Sequence, residues 1–210
     1  MLPSEIPLFP LPNVALFPAA LLPLHIFEPR YRAMVADALD GERLIGMVML
    51  RPGWEAHYER APVVYPVGCA GFITHADRLP DGRYNIMLRG LEKFRIVGER
   101  GAREGMQLYR MAQIESIAEA PVERGSAALV DARRRLERLI AKRLQRSTDE
   151  SIPKDIPDED LIHAIAHHLD PLEKQALLEC DGLLRRCQAL IELLEMRMME
   201  TQPAGKARLH

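Results

Sequence analysis

The chain has 210 residues, 48% of them hydrophobic and 28% charged, with 28 basic against 30 acidic side chains for a net charge of -2. At roughly 150 residues per domain this makes one large or two small folded domains, and the ordinary composition excludes a disordered or low-complexity protein. The near-neutral balance excludes a global field drawing the protein onto nucleic acid or an anionic membrane, so either partner would need a local patch.

Cys69, Cys180 and Cys187 are too few and too scattered for a disulfide framework or a four-ligand zinc site, which points to a reducing compartment and a cytoplasmic protein. The apolar stretch Val14 to Phe27 is broken by Pro18 and Pro23, contains His25, and has no Lys or Arg before Arg30. That pattern fits neither a signal peptide nor a membrane span.

In chain order, the first periodic segment follows Glu28-Pro29. Tyr31, Met34, Val35, Ala38 and Leu39 recur at three and four, which predicts about three helical turns ending before Gly41, with the Glu28 carboxylate at the N-terminus and Glu28 and Arg30 both structural. Apolar runs at Leu44 to Leu50, Val63 to Ile73, Tyr84 to Val97 and Leu108 to Ile117 lie between turn signals and read as strands. Leu79-Pro80-Asp81-Gly82-Arg83-Tyr84 predicts a β-hairpin, because Pro presets φ and Asp-Gly permits the reversal. The alternation of Tyr84, Ile86 and Leu88 skips a beat at Arg89-Gly90, which predicts a bulge or bend.

Beyond Val122 the period becomes helical. Leu129, Leu136, Ile140 and Leu144 share a stripe; Leu161, Ile162, Ile165 and Leu169 mark a second helix. Asp170-Pro171 with Glu173 predicts a capped third helix, and Asp181 a cap for a fourth along Leu184, Cys187, Ile191, Leu194 and Met198. Four antiparallel helices with short connectors predict a small bundle.

The opening Ile6-Pro7-Leu8-Phe9-Pro10-Leu11, then Leu16-Phe17-Pro18 and Leu22-Pro23-Leu24-His25-Ile26-Phe27-Glu28-Pro29-Arg30-Tyr31, resembles the start of the Lon protease N-terminal domain. Ile45-Gly46-Met47-Val48, Gly71 to Ile73, Asp81 to Ile86, Arg89-Gly90-Leu91-Glu92-Lys93-Phe94 and Lys174 to Glu179 extend the resemblance to residues 4–198. It implies an α+β protein: a PUA-like six-stranded β-barrel lobe with one helix at 1–118, a C-terminal helical bundle at 119–200 and a flexible tail at 201–210. Full Lon proteases add an ATPase motor and a Ser-Lys peptidase domain. This chain has no Gly-x-x-x-x-Gly-Lys-Ser/Thr, since Gly205-Lys206-Ala207 lacks the upstream glycine and the hydroxyl. The resemblance therefore implies recognition of unfolded or tagged polypeptides without catalysis.

The residues offer little to a catalytic reading. Ser4, Ser116, Ser126, Ser147 and Ser151 lie in turn or cap contexts outside any Gly-x-Ser-x-Gly elbow. The three cysteines read as buried and inert. His163 and His167 have the spacing of two metal ligands but lack a local third, and His25 reads as a buried, hydrogen-bonded structural histidine. No metal or cofactor is expected. Arg133, Arg134, Arg135, Arg138, Lys142, Arg143 and Arg146 could form a nucleic-acid stripe, but no aromatic platform accompanies them, and a solvated, ion-paired face is the simpler reading.

The expected binding residues are Leu21 and Leu22, between two Phe/Pro turns, and Trp54 and Tyr58 in the polar loop Arg51 to Arg60. Aromatics supply much of the energy of binding hot spots, while the competing role for Trp54 is a lid on one end of the barrel. Met34, Met47, Met49 and Met87 would add adaptable surface or simply core. The function expected is a non-enzymatic cytoplasmic polypeptide-recognition module for unfolded or exposed apolar segments, serving a protease or chaperone. The alternative is RNA binding through the barrel and the arginine-rich helix.

Overall fold

A computed structural model describes residues 2–57, 61–100, 108–121, 125–144 and 156–200. The chain runs through β1 (Glu5–Leu11), β2 (Leu21–Ile26), α1 (Pro29–Asp40), β3 (Leu44–Met49), a 3-10 turn (Trp54–His57), β4 (Val67–Arg78), β5 (Tyr84–Arg100) and β6 (Met111–Ile117). Four further helices follow: α2 (Ala127–Leu144), α3 (Asp158–Ala166), α4 (Pro171–Glu179) and α5 (Gly182–Glu200). Contacts divide it into two units, Met1–Glu119 with His167–Glu179, and Ala120–Ala166 with Cys180–His210.

The first unit is one mixed sheet in the order β2-β5-β4-β3-β1-β6, with β5 also pairing with β6. Five strands thus close a ring of hydrogen-bonded neighbours, and β2 lies outside it, on β5. All pairs are antiparallel except β1 with β3. Inward residues of five strands, Ile6, Leu8, Val48, Ala70, Phe94, Ala112 and Ile114, form one buried cluster. On α1 the spacing places Tyr31, Met34, Val35 and Ala38 inward, and the Tyr31 ring meets Phe9 at a centroid distance of 4.5 Å.

The hairpin is where the turn chemistry puts it. Gly82, at φ +81°, donates its N–H to Leu79 O at 2.9 Å between β4 and β5. The skipped beat is also real. Cys69 pairs with Lys93 but Gly71 pairs with Gly90, so Ala70 opposes two residues of β5. A Cβ at Gly90 would lie 2.0 Å from Phe17 O, which is why the bend needs a residue without one.

Several expectations change. The Glu28 side chain makes no capping hydrogen bond to α1. The Tyr31 and Arg32 N–H groups donate to the Glu28 main-chain O at 3.0 and 2.9 Å, and the Glu28 carboxylate accepts from Arg30 Nε at 2.9 Å. Asp181 accepts the Ala120 N–H at 2.9 Å rather than an amide of α5, and Cys180, which lies before that helix begins, is half-buried where Cys69 and Cys187 are buried. The capping box at α4 forms, with Asp170 N–H donating to Glu173 Oε2 at 2.9 Å.

The largest difference concerns α4, expected in the helical bundle within 119–200 but belonging to the unit that holds the sheet. The reason is polar. Gln175 Nε2 donates to Val67 O at 3.0 Å, and Lys174 Nζ to Asn13 O at 3.2 Å. The second unit therefore holds three described helices, α2, α3 and α5, with α5 packed on the other two over buried Leu129, Leu136, Ile162, Cys187, Leu190 and Ile191.

Candidate functional site

The most distinctive surface follows from strand register. On β5, Tyr84, Ile86 and Leu88 point inward, leaving Asn85, Met87 and Arg89 outward. Leu21 and Phe72 oppose Arg89 from its two sides; Pro23 and His75 oppose Met87; His25 and Asp77 oppose Asn85. Directly paired residues share a face, so these nine side chains form the outer face of β2-β5-β4. The opposite face is core: Leu88 and Ile73 are fully buried. Leu21 is 63% exposed, and Phe27, just past β2, is 60% exposed and stacks on His25 at 6.3 Å.

Two local devices build this face. Between the Ile73–Leu88 and His75–Met87 pairs, Thr74 is an extra residue. The bulge turns His75 and Asp77 outward, and Thr74 Oγ1 donates to Met87 O at 3.1 Å. Pro23, which cannot donate to a ladder, is accommodated because β2 pairs only with β5 and is an edge strand.

A polar network rims the apolar atoms. Arg83 Nη1 donates to His25 Nε2 at 3.3 Å, which leaves the proton on Nδ1 to bond Asn85 Oδ1 at 2.7 Å. Arg83 Nε donates to Asp81 Oδ2 at 2.6 Å, and this hydrogen bond holds the Asp81 carboxyl below its ordinary range. His25 is hydrogen-bonded as expected, yet it is exposed rather than buried. Apolar area bounded by orienting polar groups is the composition of a binding face.

The expected binding residues do not converge. Leu21 and Leu22 are neighbours on β2, but Leu21 points to the outer face while Leu22, half-buried, opposes Leu88 on the other. Trp54 is half-buried against the cluster containing Ile6, Leu8, Leu50 and Val64. Tyr58 lies outside the described residues. Met34, Met47 and Met49 are buried, and Met87 reaches the face. Sequence reasoning missed Phe27, Phe72 and Arg89. The alternation on β5 could have found Arg89, since an inward Leu88 implies an outward neighbour.

Burial, followed by the Arg186 charge, pushes the His163 imidazole down to about 3. α3 ends at Ala166, so His167 is not on the same helix; it lies in the other unit, edge-on to His168 at 5.9 Å. Burial pushes the Cys187 thiol up to about 11, away from a reactive thiolate. Among the described residues, no group of three or more His, Cys, Asp or Glu is placed to hold a metal ion. Ser126 Oγ accepts the Leu129 N–H at 3.4 Å, as a helix cap does.

On α2, Arg133 pairs with Glu137 at 2.8 Å and Asp158 at 2.7 Å, and Arg135 holds both oxygens of Glu195. Clefts of about 170 Å³ beside Tyr109 and Asp37 and about 230 Å³ beside Ser126 and Leu183 fall below the ~300–1,000 Å³ of small-molecule sites. No helix among the described residues is long and apolar enough to cross a membrane.

Comparison with known proteins gives a consistent answer. The family model described as the ATP-dependent protease La (LON) substrate-binding domain matches residues 5–196. Lon protease 2 of Myxococcus xanthus is 26% identical over 217 residues, covering 93% of this chain and 24% of that protein. Lon protease of Cytophaga hutchinsonii is 24% identical over 220 residues, covering 99% of this chain and 26% of that protein. The chain thus spans about a quarter of the length of these relatives. Among solved structures, a Lon N-terminal domain protein from Xanthomonas campestris superposes with a TM-score of 0.59 at 23% identity, covering 90% of this chain and 98% of that one. The N-terminal domain of Mycobacterium avium complex Lon protease gives 0.63 at 16% identity, covering 91% and 98%.

Proposed function

The chain belongs to the LON substrate-binding domain family, and from that premise we propose that it is a non-enzymatic polypeptide-recognition module that takes exposed apolar segments of unfolded proteins on the outer face of β2-β5-β4. On this reading the closed ring of strands is the PUA-like barrel of the family and β2 is the strand it presents. The module works in the cytoplasm, handing its ligand to a protease or chaperone.

One observation carries the reading: Leu21 and Phe27, each more than half exposed, share with Met87, Phe72 and Pro23 a face that core packing does not require. Exposed apolar groups gathered on one face mark interaction sites in soluble proteins. Leu22 supports β2 from the opposite side, and Trp54, seated on the neighbouring core, serves as a reporter.

The test is binding of a reduced, alkylated model protein to wild type and to the double variant Leu21→Asp, Phe27→Asp, followed by anisotropy. These side chains are exposed, so the melting temperature stays within a few degrees. Loss of at least about 10-fold in affinity is expected, as for removal of apolar anchors at an interface. Unchanged affinity would overturn the assignment of the face.

RNA binding is the weaker reading. Ion pairs occupy Arg133 and Arg135, and Arg134, which a looser exposed pair at 3.7 Å joins to Asp131, forms with Arg138 and Lys142, four apart, the exposed stripe on α2. Retention on RNA that falls with salt, and falls further on neutralising those three, would favour it.

A further inference from the structure

Resting on that reading, we propose that the face selects apolar segments that carry an internal acidic side chain, which Arg89 receives. Arg89 is the outward residue of β5 flanked directly by Leu21 on β2 and Phe72 on β4. It is exposed. The arginines by the opposite, His25 end of this face are engaged, Arg83 with Asp81 at 2.6 Å and Arg30 with Glu28 at 2.8 Å. Among the described residues no ion pair holds Arg89.

The consequence appears on binding. A segment that covers Leu21 and Phe72 also strips water from the guanidinium between them, and a desolvated cation must be met by an acceptor. A carboxylate meets it with charge-assisted, two-pronged hydrogen bonds; a lysine in the same place meets like charge. The face is an open sheet surface rather than a cradle of backbone N–H groups, so it suits a side-chain carboxylate of a chain passing across it and not a chain terminus. Asp77 lies two register pairs further along, opposite Asn85, roughly 13 Å from Arg89 at the rise of a strand. It repels an acidic group there and so confines the preference to the Leu21–Phe72 end.

The experiment uses three fluorescent dodecapeptides of identical apolar sequence with Glu, Gln or Lys at the centre. Each is titrated into wild type, Arg89→Gln and Arg89→Glu at low and at physiological salt. Wild type is expected to bind the Glu peptide about 3-fold tighter than Gln and about 10-fold tighter than Lys, the range of a partly desolvated ion pair, with the gap narrowing as salt rises. Arg89→Gln removes the Glu preference, and Arg89→Glu reverses the order of Glu and Lys. Equal binding of all three peptides by wild type overturns the charge preference and leaves the apolar face standing. Binding of none overturns the face as well. Unchanged melting curves of the variants separate these outcomes from misfolding.

Discussion

Lys93 Nζ lies 2.9 Å from Glu119 Oε1, with the lysine side chain 2% exposed and the glutamate 18%. Removing one partner of a buried pair leaves the other charge less well compensated in low dielectric, which costs about 3–5 kcal/mol, whereas replacing both with apolar groups is often nearly neutral. Glu119→Ala is therefore expected to destabilise by about 3 kcal/mol in chemical denaturation. The double variant Lys93→Met, Glu119→Leu recovers most of that loss. A double variant less stable than Glu119→Ala would show that the pair is worth more than its apolar replacement.

His163 predicts an acid-labile helical unit. Burial, with the Arg186 charge second, lowers its folded value from 6.5 to about 3, so between those values the unfolded chain binds a proton that the folded chain refuses. Stability from this group is fully present above pH 6.5 and is lost as pH falls toward 3, a loss on the order of a few kcal/mol. In denaturant titrations at pH 7, 5.5 and 4, the gap between wild type and His163→Leu should shift toward the variant as pH falls. A constant gap would assign the acid sensitivity to other groups.

Gly90→Ala should be among the most damaging small substitutions. Its Cβ would lie 2.0 Å from Phe17 O and 3.3 Å from Leu16 Cγ, and Phe17 and Leu16 are themselves buried. The strand must move or the turn before β2 must open, at about 2–3 kcal/mol or more. Thermal melting reads this directly, and a shift smaller than that of a surface alanine would mean that the turn yields freely.

Glu28→Ala separates packing from recognition. The carboxylate makes an ion pair with Arg30, each about a quarter exposed at 27% for Arg30 and 24% for Glu28, and caps no amide. The expected loss is under about 1 kcal/mol, with affinity for an unfolded model protein unchanged. Weakened binding at an unchanged melting temperature would place Glu28 in the recognition surface.

Much of this protein can be read directly from residue order. The Pro80 to Gly82 hairpin, the break at Arg89-Gly90, α1 and the Asp170–Glu173 capping box depend on contacts within a few residues, so local chemistry is enough to specify them. β1 and β2 were legible only through family likeness. Pro7, Pro10 and Pro23 interrupt their strand signal, and they are strands because β3, β6 and β5 supply the partners.

Tertiary structure alone decided which face each strand shows. The Thr74 bulge turns His75 and Asp77 outward, the register sets Leu21 and Phe72 beside Arg89, and two long-range hydrogen bonds tie α4 to the unit that holds the sheet. These outcomes depend on pairing between segments tens of residues apart. A one-residue slip exchanges the two faces of a strand, and no local pattern in a single segment records which register its distant partner will take.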